Sequence, residues 1–228
     1  MKTYGQYCPI AKSVEVLGER WSILVLRELL IGSTRFNDIS RGLPGMSRTM
    51  LSKRLREFER AGVLERLDGE YHLTPQGQEL RPIVFGLGVW GEEWLLGEPD
   101  PADLDPVSLM WHAHARLNTE DLPDRRVVIH FELLDRPERY WVVVEPVGCS
   151  ICEADPGFEV DVIVRAELAD LYRIFYHQLP VASAVRSGRV TFEGQAALVR
   201  RMPAVLELIP ANVLGVDASA RRPTWRSG

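Results

Sequence analysis

"MSRTMLSKRLREFERAG" occupies residues 46–62, and the order of elements around it decides the fold of the first half of the chain. With Arg48 set at zero and about 100° per residue, Leu51, Leu55 and Phe58 fall near about 300°, 340° and 280°, a narrow apolar stripe. On the same wheel Arg48, Thr49, Ser52, Lys53 and Arg56 fall between about 0° and 140°, a separate arc. Glu57 lies off that arc, and Glu59 shares its side only near the C-terminal end. Ser47 stands where an N-cap belongs, so its hydroxyl satisfies an orphan N–H of the first turn. The segment is read as a helix with a core stripe and, over its first turns, a face of hydroxyls and cations without an acid. In isolation such a face is what any solvated helix presents.

The neighbouring elements change that balance. "RFNDISRGLPG" (35–45) reads as a short helix burying Phe36, Ile39 and Leu43 and ended by Gly42, Pro44 and Gly45. "VLERLDGEYHLT" (63–74) reads as two strands around an Asp68-Gly69 turn. Helix, turn, helix and hairpin in that order make a winged helix-turn-helix. Arg and Lys then donate to guanine edges or phosphates, Ser and Thr serve either, and the helix N-terminus adds a phosphate contact. Upstream, Pro9 opens a helix with Ile10, Val14 and Leu17 on one face, closed by Gly18. "RWSILVLRELLIG" (20–32) is apolar on most sides and reads as a buried helix. Downstream, residues 74–96 read as one amphipathic helix entered through Thr74-Pro75.

Charge supports the assignment. The chain of 228 residues carries a formal charge of -5, yet residues 1–97 hold 13 basic against 12 acidic side chains and the remainder 14 against 20. Arg41, Arg48, Lys53, Arg54, Arg56 and Arg60 crowd into residues 41–60, facing only Glu57 and Glu59 there, a local electrostatic footprint. "GEPDPADLDP" (97–106) is rich in proline and acid, which sets the expected boundaries at 1–97, a linker over 98–106, a second domain over 107–216 and a tail over 217–228. No signal-peptide core or bilayer-spanning run is found, so a soluble, cytoplasmic protein without membrane association is expected.

Residues 8–66, from "CPIAKSVEVLGERW" through "LSKRLREFERAGVLER", resemble the HxlR family of bacterial transcriptional regulators, and the resemblance extends over residues 5 to about 95. It implies a homodimer joined through the first and last helices of the domain, bound to a palindromic double-stranded operator, with repression the expected outcome. Carried onto this chain, Ser47, Arg48, Thr49, Ser52, Lys53 and Arg56 would contact the DNA from the recognition helix, while Arg35 and Asn37 touch phosphates. The wing tip "LDGE" departs from a basic wing, leaving Arg66 as its contribution. Relatives that sense oxidants or electrophiles use a cysteine at the place of Cys8. At a helix N-terminus its thiol is favoured as thiolate; a small residue that merely packs is the alternative.

The second half mixes "RRVVIHFELLD" (125–135), "ERYWVVVEPVG" (138–148) and "GFEVDVIVR" (157–165) as strands with helices at 105–118, 166–177 and 195–209, and "GRVTFEG" as a short strand, giving an α+β class overall. "FEVDVIVRAELADLYRIFYHQLPVASAVRSGRVTFEGQAALVRRM" (158–202) resembles the sterol-carrier-protein-like fold. That resemblance implies an apolar ligand site, with Trp111, Phe131, Trp141, Leu171, Phe175, Phe192 and Met202 as candidate lining, each otherwise simply core. Either the second domain binds a small apolar effector, or it serves only dimerisation or protein contact. Cys149-x-x-Cys152 lies in a stretch read as a turn and lacks a second pair for a zinc site, and His112 and His114 are too far apart around a helix to share a metal. No nucleophile elbow, phosphate loop or dinucleotide fingerprint is present, so neither an enzyme nor a cofactor is expected.

Overall fold

Capping residues cut the first half into short, sharply bounded helices. The computed structural model describes residues 3–146, 148–208 and 224–225, and the chain divides into two units, Met1–Glu93 and Trp94–Gly228. In the first unit α1 (Pro9–Leu17) begins at its proline and is closed where the Gly18 N–H donates to Val14 O at 2.8 Å. Next comes α2 (Ser22–Leu30), entered through Trp21 with φ 78°, a left-handed backbone uncommon for a bulky side chain. Its partners are α3 (Phe36–Arg41) and α4 (Arg48–Arg60). Strands β1 (Leu64–Leu67) and β2 (Glu70–Leu73) pair antiparallel, with Leu67 opposite Glu70. The turn between them has Asp68 at φ 50° and Gly69 at φ 85°, the two positive values that a two-residue type I′ hairpin requires. Leu26, Ile39, Leu51, Leu55 and Phe58 fill the core of this unit.

The helix expected over 74–96 is two helices, α5 (Pro75–Gln78) and α6 (Arg81–Trp94). Pro82 has no N–H to give the Gln78 carbonyl, so one continuous helix cannot pass this point. Thr74 fixes the entry: its hydroxyl donates to Gly62 O at 2.6 Å and accepts from the Gly77 N–H at 3.2 Å. Gly77 rests against the Val63 carbonyl, where a Cβ would overlap backbone.

The second unit is a sheet with helices. Its helices are α7 (Pro106–His114), α8 (Leu168–Phe175), α9 (Val181–Arg186), α10 (Ala196–Val199) and α11 (Met202–Val205). Its strands are β3 (Val127–Leu133), β4 (Arg139–Glu145), β5 (Gly148–Cys152), β6 (Val162–Ala166), β7 (Val190–Gly194) and β8 (Thr224–Trp225). The sheet order is β7-β6-β3-β4-β5-β8, antiparallel except for the β3/β6 and β5/β8 pairs. Alternation sends Ile129, Phe131, Val142, Ile151, Val162 and Val164 into the core shared with Leu109, Leu171, Phe175 and Met202. Asp161 pins β6 beside β3: its carboxylate accepts from Val128 N–H at 2.9 Å, Arg125 at 3.0 Å and Gln195 at 2.9 Å.

Two expectations change here. Residues 148–152, read as a turn, form β5, because five consecutive residues find partners along β4. Cys149 and Cys152, three apart on a strand, point to opposite faces and cannot both turn toward one ion. The helix expected over 195–209 is α10 and α11, parted at Arg200–Arg201, since Pro203 cannot bond the Val199 carbonyl; Ile209 lies outside the described residues. Of the tail, Thr224–Trp225 pairs with Ser150–Ile151, and the rest of 217–228 lies outside the described residues. The proline-rich stretch 97–106 is fastened to α8 and the turn after it: Arg173 pairs with Glu98 at 3.0 Å, Gln178 donates to Gly97 O at 3.1 Å, and Tyr172 donates to Asp105 O at 3.0 Å. Among the described residues no helix is long and apolar enough to cross a membrane.

Candidate nucleic-acid interface and second-unit cavity

The face of α4 is set by what the core takes from it. Leu51, Leu55 and Phe58 are buried, as is Arg54, which pairs with Glu57 on its own helix and with Glu19 at 3.2 Å. Outward lie Arg48, Thr49, Lys53 and Arg56, all exposed, with Ser52 half-buried beside them and Glu59 and Arg60 exposed at the far end. Ser47 caps the helix, its hydroxyl accepting from Met50 N–H at 3.2 Å. The first turns therefore aim free N–H groups, hydroxyls and cations in one direction, with no acidic side chain in the first turn.

The supporting helix orients the first of these cations. Arg48 donates to Asn37 Oδ1 at 3.1 Å and lies over the Phe36 ring at 4.7 Å from its centre. A guanidinium held by one amide and one ring still has donors to spare and has lost much of its rotamer freedom in advance. Arg35 is engaged otherwise. Glu70, the second acid of the wing tip, accepts from Arg35 Nε at 2.9 Å and from the Thr34 hydroxyl at 2.9 Å, while the Tyr71 N–H donates to Thr34 O at 2.7 Å. The wing carboxylate thus ties the hairpin to the start of α3, and its hydrogen bond pushes the Arg35 guanidinium up. Arg66 is exposed on β1, its guanidinium 5.5 Å from the centre of the Tyr71 ring. The structure brings together Ser47, Arg48, Thr49, Ser52, Lys53, Arg56 and Asn37; Arg35 is nearby but paired, and Arg66 belongs to the wing.

Two helices of this unit carry exposed apolar residues. Tyr7, Ile10 and Val14 at and along α1 are exposed, as are Ile83, Leu87, Trp90 and Trp94 along α6. Cys8 is a free, half-buried thiol at the N-cap of α1.

In the second unit a cavity of about 20 Å³ opens between α7, α8 and the sheet. Of the seven candidate lining residues, Phe131, Leu171 and Phe175 line it. Trp111, Trp141, Phe192 and Met202 do not. Trp111 and Met202 are buried elsewhere in the core, and Phe192 packs against it from β7. Trp141 stacks on His130 at 4.5 Å between ring centres, one residue out of step with the inward Val142. The lining also contains His114, which the sequence reading weighed only as a metal ligand. A helical spacing, Met110 to His114 to Leu117, was the available signal that it shares an apolar face. Among the described residues no group of three or more His, Cys, Asp or Glu side chains is placed to hold a metal ion.

A helix-turn-helix with an outward donor face and a hairpin wing defines the class: a winged helix-turn-helix DNA-binding regulator. Residues 16–99 match the HxlR-like helix-turn-helix family, and residues 117–207 match the SCP-2 sterol transfer family. YvaP of Bacillus subtilis, an uncharacterized HTH-type transcriptional regulator, is 39% identical over 109 residues, spanning 44% of this chain and 97% of its own. A second such regulator, from Synechocystis, is 39% identical over 98 residues, covering 40% of this chain and 73% of its own. Among solved structures, quinone-bound YodB from B. subtilis shares 32% identity over 38% of this chain and 100% of its own, with a TM-score of 0.36. The chain belongs to the HxlR-like helix-turn-helix family and is a transcriptional regulator of helix-turn-helix type, with an SCP-2 domain following its DNA-binding domain.

Proposed function

We propose that this regulator acts as a repressor, binding a palindromic operator as a homodimer through α4, with a small apolar effector taken by the second unit. The observation that carries the DNA reading is the donor face over the first turns of α4, with Arg48 already braced by Asn37 and Phe36. Arg48, Thr49, Ser52, Lys53 and Arg56 would meet base edges and phosphates, Ser47 and the helix N-terminus a phosphate, and Asn37 the flanking backbone. Arg35 and Arg66 would add phosphate contacts, Arg35 by exchanging Glu70 for phosphate. The exposed apolar residues of α1 and α6 support pairing of two copies, which a two-fold operator requires. Effector binding rests on the SCP-2 match and the cavity.

The test is a fluorescence-anisotropy titration, at several salt concentrations, of DNA selected from a random duplex pool. The double variant Arg48→Ala, Lys53→Ala should lose at least about 100-fold in affinity, with an unchanged circular dichroism spectrum. Unaltered affinity would overturn the assignment of α4.

A second reading, a thiol switch, draws on the position of Cys8 at the head of α1, whose outward face is the surface proposed for subunit pairing. Modification there would act on the dimer. Treatment with diamide should then weaken DNA binding by the wild type and leave Cys8→Ser unaffected; equal responses would remove this reading.

A further inference from the structure

The wing carboxylate occupies donors that suit a phosphate. Glu70 Oε1 accepts from Arg35 Nε at 2.9 Å and Glu70 Oε2 from the Thr34 hydroxyl at 2.9 Å, so two consecutive residues at the entry to α3 grip both oxygens of one anion. A guanidinium beside a hydroxyl is also a pairing that holds the oxygens of a phosphodiester. The Arg35 side chain is 68% exposed and that of Glu70 only 20%, so the cation is open to an incoming strand while the acid is tucked against the protein. Asn37, two residues on, accepts from Arg48 at 3.1 Å, which sets this pair beside the donor face of α4.

Seating the hairpin does not by itself call for a charge at this position. The backbone already fastens it, since the Tyr71 N–H donates to Thr34 O at 2.7 Å and β1 pairs with β2 from Leu64 opposite Leu73 to Leu67 opposite Glu70. What the charge adds is competition. The Thr34 hydroxyl has a single hydrogen, which cannot serve a carboxylate and a phosphate together. A phosphate that meets Arg35 while Glu70 stays in place also brings two like charges onto one guanidinium.

We infer that Glu70 is an internal competitor for a DNA phosphate, standing in for it at Arg35 and Thr34 in the free protein and lowering affinity for duplexes of any sequence. The inference rests on the DNA reading above and names a residue that regulates it. A phosphate contact carries no base information, so suppressing it removes sequence-independent affinity and leaves the base contacts of α4 untouched. The regulator then leaves unrelated DNA more readily while its choice of sequence is unchanged.

The test compares the wild type, Glu70→Gln, Arg35→Ala and the double variant by fluorescence anisotropy at several salt concentrations, on the selected duplex and on a duplex of unrelated sequence. Glu70→Gln should bind both duplexes about three- to tenfold more tightly than the wild type at low salt. Its plot of log affinity against log salt should steepen by about 0.9, the signature of one added phosphate contact. Glu70→Ala, which leaves no acceptor there, should show the same gain. In the Arg35→Ala background Glu70→Gln should gain less than about twofold, because the cation it releases is gone. An equal gain with and without Arg35 would reduce Glu70 to a general repulsive charge and overturn the inference, as would no gain, or a loss, with Arg35 present. Those failures leave the DNA reading in place, provided that Arg48→Ala, Lys53→Ala still loses binding. A wild type that binds neither duplex would overturn both.

Discussion

Arg54 and Lys53 are adjacent in the chain and have opposite tasks. Arg54 is buried between Glu19 and Glu57, whereas Lys53 is exposed on the donor face. Arg54→Ala strands a buried ion-pair network and should lower unfolding free energy by about 1–3 kcal/mol in urea titrations. Lys53→Ala should stay within about 0.5 kcal/mol of the wild type and weaken DNA binding instead. His114 makes a prediction about pH. Its ordinary value of 6.5 is lowered to about 4 by burial, so from roughly pH 6.5 down to 4 the unfolded chain takes up a proton that the native ring refuses. Stability from this group is therefore intact above that window and lost as pH falls through it, by about 3 kcal/mol in all. Burial also lowers the pKa of His130, so the comparison to make is the wild type against His114→Leu between pH 7.5 and 4.5, where the variant should show much the flatter profile.

At the level of elements, the hairpin and the recognition helix were legible because each is fixed locally. A serine before an apolar stripe caps a helix, and an Asp-Gly pair between short strands turns them, whatever lies elsewhere. Ser47→Ala should accordingly cost about 1 kcal/mol. Gly69→Ala, at φ 85°, should cost about 1–2 kcal/mol by the same urea measurement. Strand β5 was not legible, since "GCSIC" has a single β-branched residue and becomes a strand only through its pairing with β4. The breaks at Pro82 and Pro203 were visible as prolines, but the amphipathic pattern around each outweighed them. The cavity of the second unit was half legible for a related reason. Alternation shows that Trp141 and Val142 face opposite sides, but which side the helices cover is a tertiary fact. Trp141 belongs to the face opposite Val142, while His114 lines the cavity beside Leu109 and Met110 of α7.

For the whole molecule the decisive surface is apolar and uncovered. Ile83, Leu87, Trp90 and Trp94 along α6, with Ile10 and Val14 on α1, expose more large apolar groups than solitary surface residues would. If two copies bury them, stability becomes a function of protein concentration. Sedimentation of the wild type should give a dimer, and Trp90→Glu should shift it to monomer at the same concentration and reduce operator affinity at least about tenfold. A monomeric wild type would contradict the proposed arrangement. Trp21 has a different consequence. The edge of its indole lies 4.0 Å from where a side chain on Gly45 would begin, beside the turn that leads into α4. An indole placed there is a built-in fluorophore for that turn, and any adjustment of α4 on a groove should register in its emission. Subtracting the spectrum of Trp21→Phe would isolate that signal from the other five tryptophans and report DNA docking without an attached dye.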